Sequence, residues 1–132
     1  MAKIGGREMV YICSPLRADT PEGQAKNEAL ARKMCAIAWE AGFFPIAPHL
    51  YIPQFAPDSD PRLREQGLAA GIALLRECSR VFVLDVEPSQ GMRGEIAEAK
   101  RLGIPVQRWS TVETVRARAE ERVREMAGAP ER

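Results

Sequence analysis

The sequence predicts a single α/β domain of the Rossmann-like or flavodoxin-like type, with three layers and a parallel sheet of four or five strands. Short apolar runs alternate with longer amphipathic stretches along the chain, which is the order of strands and helices in such a fold. Capping residues, prolines and glycines separate these stretches. At 132 residues the chain has the length of one domain. We therefore assign one domain to residues 1–132, with its core at about 9–127 and a frayed tail at 128–132.

The first half of the chain predicts two strands joined by one long helix. Residues 9–13 form a short, partly β-branched apolar run that is typical of a buried strand. Thr20 followed by proline marks the start of a helix, and Gly42 marks its end. Residues 43–47 form the second apolar run. The segment 48–60 has three prolines and no periodicity, so it is expected to be a loop.

The second half predicts two further strands and three helices. An apolar run at 81–84 is typical of a buried strand, and residues 104–106 begin another at a strand start or edge. An Asp-Pro pair opens a helix from 61 to 78. Residues 89–91 lead into a helix that ends at Gly103. A Ser110–Glu113 capping box opens the final helix.

Composition excludes several classes of protein. Nineteen basic and eighteen acidic residues leave a net charge of +1, too little for binding driven by nucleic-acid phosphates. No apolar run approaches the roughly 18–20 residues that span a bilayer, and residues 1–7 lack the apolar stretch of a secretory signal. The cysteines (Cys13, Cys35, Cys78) form no CxxC pair, and His49 is the single histidine. We expect a cytoplasmic protein without metal, cofactor, nucleic-acid or membrane partners.

Parallel sheets bind ligands beyond the carboxyl ends of their strands, so the segments after the strands are the candidate sites. After the first strand, Ser14, Arg17 and free backbone N–H groups could receive a phosphate or a carboxylate. An ordinary turn with a solvated arginine has the same composition. No GxGxxG or GxxxxGK[ST] motif occurs, which disfavours a dinucleotide-binding domain and a P-loop, although the fold alone does not exclude a flavodoxin-type carrier.

Residues 89–95 are the most informative stretch. Gly91 allows close backbone approach at a helix N-terminus, where unpaired N–H groups can bind an anion. Glu95 lies about one turn further on, and its side chain is expected to tilt back over the strand ends. A carboxylate there suits a nucleophile that attacks a sugar carbon. Alternatively, Glu95 only complements the helix dipole.

Other polar residues near the strand ends have two interpretations each. His49 follows the second strand and is either a hydrogen-bonded structural residue or part of a site. Tyr51 and Phe55 either stack on a base or anchor the loop to the core. Asp85 either orients a sugar hydroxyl or belongs to a turn.

Three motifs in this order resemble the nucleoside 2-deoxyribosyltransferase-like superfamily. They are YICSPLR at 11–17, APHL at 47–50, and SQGM at 89–92 with Glu95 and Ile96 behind it. That superfamily includes the 2'-deoxynucleoside 5'-phosphate N-hydrolases, and the sequence is most similar to an uncharacterised, partly phage-borne branch of small proteins.

The resemblance implies a Rossmann-like sheet, chemistry at the N-glycosidic bond, and a dimer or larger homo-oligomer. By motif position Glu95 would be the nucleophile that attacks the anomeric carbon, after which water or a second base resolves the glycosyl-enzyme. The partner would be a small nucleoside or nucleotide. The alternative is a non-catalytic nucleotide-sensing module. The candidate substrate-binding residues are Ser14, Pro15, Arg17, His49, Asp85, Ser89, Gly91 and Met92.

One departure from the superfamily concerns the acid that protonates the leaving base. Characterised members carry an aspartate in the helix before the third strand, where this sequence has Gly71-Ile72-Ala73. The aspartates that could substitute are Asp58, Asp60 and Asp85. Small side chains near Gly71 also make that helix smooth enough for close packing, within the subunit or in a homodimer.

Overall fold

The computed structural model describes residues 3–109, which form a five-stranded sheet with helices on both faces. The predicted final helix and the tail lie outside these residues. The strands are β1 (Lys3–Ile4), β2 (Arg7–Cys13), β3 (Phe44–Ile46), β4 (Arg80–Leu84) and β5 (Val106–Trp109), and the helices are α1 (Pro21–Glu40), α2 (Pro61–Arg76) and α3 (Gln90–Arg101).

Strand β2 is the centre of the sheet. It pairs in parallel with β3 on one side and with β4 on the other, and β4 pairs in parallel with β5. Tyr11 of β2 therefore lies between Ile46 and Val81. The chain first adds β3 beside β2 and then crosses to the other side, so strand order reverses between β2 and β4. This confirms the predicted fold class and locates the point where such sheets bind ligands.

The sheet has one antiparallel pair that the sequence analysis missed. Strand β1 forms a hairpin with the start of β2, with Lys3 opposite Glu8. Gly5 and Gly6 make the two-residue turn, with φ values of 58° and 79°. Two glycines in this place are a hairpin signal, because such turns require positive φ. Strand β1 has only two residues before these glycines, which is too short to show the alternation of apolar and polar residues that is typical of a strand.

The alternation of side chains along β2 divides the core into two layers. Val10 and Ile12 face α1, where they pack with Phe82 of β4. Tyr11 and Cys13 face the opposite way, toward α2 and α3. All four of these β2 side chains are almost fully buried. The functional consequence is that the polar atoms of Tyr11 and Cys13 point toward α3.

The helix starts follow from local side-chain caps. Thr20 accepts a hydrogen bond from the Gly23 amide at 3.0 Å, and Asp60 accepts one from the Arg62 amide at 2.9 Å. These caps confirm the predicted starts of α1 and α2. Gly42 follows the end of α1 with φ of 95°.

The segment 48–60 differs from the prediction of an irregular loop. It contains two short 3-10 turns, Pro48–Leu50 and Ile52–Gln54, each with a proline in its first two positions. Proline fixes φ near its helical value, which favours a tight turn at the start of each segment. In the described part of the chain, every helix is too short or too polar to cross a membrane.

Candidate active site

A cleft of about 770 Å³ opens at the carboxyl-terminal edge of the sheet. Its walls come from the segment after β2, the two 3-10 turns, the α2 side facing them, and the first turns of α3. It therefore lies where the strand order reverses. Of the predicted site residues, those that line it are Ser14, Arg17, His49, Ser89, Gly91, Met92 and Glu95.

Glu95 is held at the cleft wall by two donors from β2. The Tyr11 hydroxyl donates a hydrogen bond to Oε2 of Glu95, and the Cys13 thiol lies 3.4 Å from Oε1. Tyr11 and Cys13 are two residues apart on a strand, so both side chains reach the same face. These two contacts from the sheet fix the orientation of the Glu95 carboxyl group, and Glu95 also lines the cleft.

The titration behaviour of this group follows from its burial. Burial raises the pKa of Glu95, and the hydrogen bonds from Tyr11 and Cys13 oppose that rise. Burial, followed by the nearby Glu95 charge, raises the pKa of Tyr11 and of Cys13 well above their ordinary values. Both groups therefore stay protonated at neutral pH and remain hydrogen-bond donors.

Ser14 and His49 form a second polar pair in the cleft. Ser14 directly follows β2, and His49 lies in the first 3-10 turn after β3. The Ser14 Oγ and His49 Nε2 atoms are 3.1 Å apart, and Ser14 is only 5% exposed. Burial lowers the pKa of His49 to about 4, so its imidazole is neutral at pH 7.

The three aspartates considered as substitute acids occupy different environments. Asp60 is engaged in capping α2, where it accepts from the Arg62 and Leu63 amides. Asp85 is exposed and lies outside the cleft lining. Asp58 is half-buried and lines the cleft. On placement, Asp58 is the one of the three that can face a ligand.

The remaining predicted residues are placed as follows. The Ser89 hydroxyl accepts from the Met92 amide at 3.2 Å and so caps α3. Gly91 borders the cleft, and a Cβ added there would meet no atom within 4 Å. Met92 is 1% exposed and packs in the core below the cleft. Pro15, like Asp85, is outside the lining.

Sequence reasoning missed Tyr11 as a member of the site. A tyrosine in a buried aliphatic strand needs a partner for its hydroxyl, and this signal was available. It also missed Arg64 of α2, which lines the cleft. Gly71 lines the cleft too, and a Cβ there would lie 3.5 Å from the Tyr11 hydroxyl. Within residues 3–109 no cluster of three His, Cys, Asp or Glu side chains could hold a metal ion.

Comparison with known proteins gives a family and a fold. The sequence model of DUF7768, a domain of unknown function, matches residues 8–109, and the chain belongs to this family. No curated protein matches the chain.

Among solved structures, the chain is similar to a 2-deoxyribosyltransferase from the psychrotolerant bacterium Bacillus psychrosaccharolyticus. The TM-score is 0.58 at 17% sequence identity, and the match covers 76% of this chain and 70% of that one. At this identity the likeness shows a shared fold alone.

The first prediction concerns the hydrogen bond between Tyr11 and Glu95. In wild type the Tyr11 hydroxyl stabilises the ionised form of Glu95 by donating a hydrogen bond to it. A Tyr11→Phe variant lacks this donor, so we expect a further rise in the pKa of Glu95. A carboxyl ¹³C NMR titration measures this pKa directly. Tyr51→Phe is the matched control, since Tyr51 is 49% exposed and outside the cleft lining. An unchanged Glu95 pKa in Tyr11→Phe would contradict the interpretation.

The second prediction concerns stability. The pKa of Glu95 is raised in the folded protein, so Glu95 binds its proton more tightly there than in the unfolded chain. The contribution of Glu95 to the free energy of unfolding therefore falls as the pH rises above about 4, where the unfolded chain begins to lose this proton. Glu95→Gln is therefore expected to be more stable than wild type at pH 7, with the difference vanishing toward pH 4. Urea unfolding at both pH values measures this.

Glu98→Gln is the control on the same helix. Arg101 and Arg76 lower the pKa of Glu98, so this substitution is expected to bring no gain at pH 7. A Glu95→Gln protein less stable than wild type at pH 7 would refute the predicted cost of the buried charge.

Proposed function

We propose that this member of the DUF7768 family cleaves the N-glycosidic bond of a nucleoside or nucleoside monophosphate, with Glu95 as the nucleophile. The observation that carries the proposal is a carboxyl group at the wall of the cleft, oriented by Tyr11 and Cys13. The fold shared with a 2-deoxyribosyltransferase supports nucleoside-related chemistry. The small-molecule dimensions of the cleft agree with such a ligand.

In the proposed reaction, the Glu95 carboxylate attacks the anomeric carbon as the bond to the base breaks. The bonding electron pair leaves with the base, and a glycosyl ester of Glu95 forms. Tyr11 and Cys13 hold the carboxylate in one orientation. Attack by water then makes the reaction a hydrolysis, whereas attack by a second base makes it a transfer.

Substrate positioning is assigned to the groups around Glu95. The apolar side chains of Leu16, Ile52 and Ile72 give the cleft surfaces against which a base can pack. Arg17, and the backbone amides that begin α3 at Gly91, are suited to a phosphate or sugar oxygen.

A leaving base needs a proton, and Asp58 is our candidate for its donor. Asp58 lines the cleft without an ion-pair or hydrogen-bond partner among residues 3–109. A positioned acid contributes about 10²–10⁴-fold to such a rate.

The second candidate function is a non-catalytic nucleotide-binding module. It is favoured by Gly71, which leaves the α2 wall without a carboxylate beside Tyr11. Such a module would keep the cleft and bind nucleotides without cleaving them.

The third prediction tests the enzymatic proposal. Purified protein is incubated with a panel of deoxynucleosides and their monophosphates, and free base is measured by chromatography. We expect base release by wild type and a loss of about 10³-fold or more in Glu95→Gln, since the nucleophile is removed. Glu98→Gln is the control expected to retain activity.

Equal base release by Glu95→Gln and wild type would exclude Glu95 as the nucleophile. Calorimetric binding of a nucleotide by wild type, without base release on long incubation, would favour the binding module.

The fourth prediction concerns assembly, which we propose to be a homodimer in the cytoplasm. Outside the cleft lining, α2 exposes the small side chains of Ala69, Ala70 and Ala73, which permits close packing with a second copy. Sedimentation velocity is expected to give twice the monomer mass of 14.6 kDa, and Ala73→Glu to shift it toward monomer. A monomer at high concentration would contradict the proposal.

A further inference from the structure

The Ser14–His49 pair is a polar feature of the cleft that base cleavage by Glu95 leaves unused. Both residues line the same cleft as Glu95, and their side chains are joined at 3.1 Å. Ser14 is nearly buried and has the His49 ring as its side-chain partner. A hydroxyl bonded to a neutral imidazole is the arrangement in which a proton can pass from the hydroxyl to the ring nitrogen.

The pair and Glu95 reach the cleft from different elements. Glu95 extends from α3, and its carboxyl is held from the β2 side that faces α3. His49 comes from the turn after β3, which lies on the other side of β2. The pair therefore borders the cleft from the ends of β2 and β3, whereas Glu95 borders it from α3.

We propose that Ser14 and His49 act as a proton relay for the water that releases the sugar from Glu95, which makes the enzyme a hydrolase. This inference rests on the proposed function. Ser14 would contact the water and is the catalytic residue of the pair. His49 would act through Ser14, as the acceptor that positions its hydroxyl.

The step balances as follows. The water oxygen forms a bond to the anomeric carbon as the bond from that carbon to Glu95 breaks, and the electron pair returns to the carboxylate. The water gives one proton to Ser14 Oγ, while the Ser14 proton moves to His49 Nε2. The imidazolium then loses its proton to solvent, because burial disfavours its charged form.

The relay requires one specific tautomer of His49. Ser14 must donate to Nε2, so the ring proton must be on Nδ1. The chain has a single histidine, and a ¹⁵N-resolved imidazole spectrum therefore needs no assignment. We expect the Nδ1–H form at pH 7. A spectrum of the Nε2–H form would overturn the relay, because Ser14 would then be the acceptor.

The kinetic test separates formation of the glycosyl-enzyme from its breakdown. In Ser14→Ala we expect a rapid burst of about one free base per Glu95, followed by turnover slowed by about 10²–10⁴-fold. His49→Gln is expected to behave in the same way, because glutamine can accept the Ser14 hydrogen bond but takes up no proton. Both variants are checked for folding by thermal melting.

Azide provides the decisive readout. It is a nucleophile that needs no deprotonation, so added sodium azide is expected to restore turnover in both variants and to give a glycosyl azide. Ser79→Ala, at the opposite end of the sheet and outside the cleft lining, is the control expected to keep wild-type kinetics.

If the Ser14→Ala and His49→Gln variants lose the burst as well as turnover, the pair only binds substrate and the inference is overturned. The inference is also overturned if azide does not restore turnover in these variants. Absence of base release by wild type would instead refute the proposed function, and the relay with it.

Discussion

The hydrogen bond from the Tyr11 hydroxyl to the Glu95 carboxyl is the interaction on which this account of the site depends. A carboxyl group that is largely removed from water is costly to ionise unless donors compensate for the lost hydration. Tyr11 can supply such a donor because β2 is the central strand and Met9, Tyr11 and Cys13 face α2 and α3. The alternation of side chains along β2 therefore places both the residues of the hydrophobic core and the donors that contact Glu95.

The strand order determines where this carboxyl group is used. Because β3 and β4 lie on opposite sides of β2, the segments that follow β2 and β3 and the start of α3 leave a gap at the carboxyl edge of the sheet. Ser14, His49 and Glu95 come from these three segments. Gly71 widens the gap on the α2 side, since it has no side chain to extend toward Tyr11.

Much of this architecture could be predicted from the sequence, because it is encoded by local signals. Caps such as Thr20 and Asp60 fix the helix starts, and apolar runs such as 81–84 mark the strands. The placement of Glu95 at the cleft also followed from its position about one turn inside α3. The β1 hairpin was missed because its first strand is too short to show a period.

The contacts between distant residues could not be predicted in this way. Tyr11 and Glu95 are 84 positions apart, and Ser14 and His49 are 35 apart, so each pair is set by tertiary packing. The same packing separates Asp58, which borders the cleft, from Asp60, which caps a helix two residues later. Their sequence contexts alone did not distinguish these roles.

A crystal structure of the Glu95→Gln variant with a bound deoxynucleoside monophosphate would show whether residue 95 faces the anomeric carbon. If Glu95 is the nucleophile, the ligand occupies the cleft at the carboxyl edge of the sheet. Its anomeric carbon should lie about 3–3.5 Å from the side-chain oxygen of residue 95, the distance of a near-attack geometry. A ligand bound with its sugar turned away from residue 95, or bound outside the cleft, would show that Glu95 is not the nucleophile.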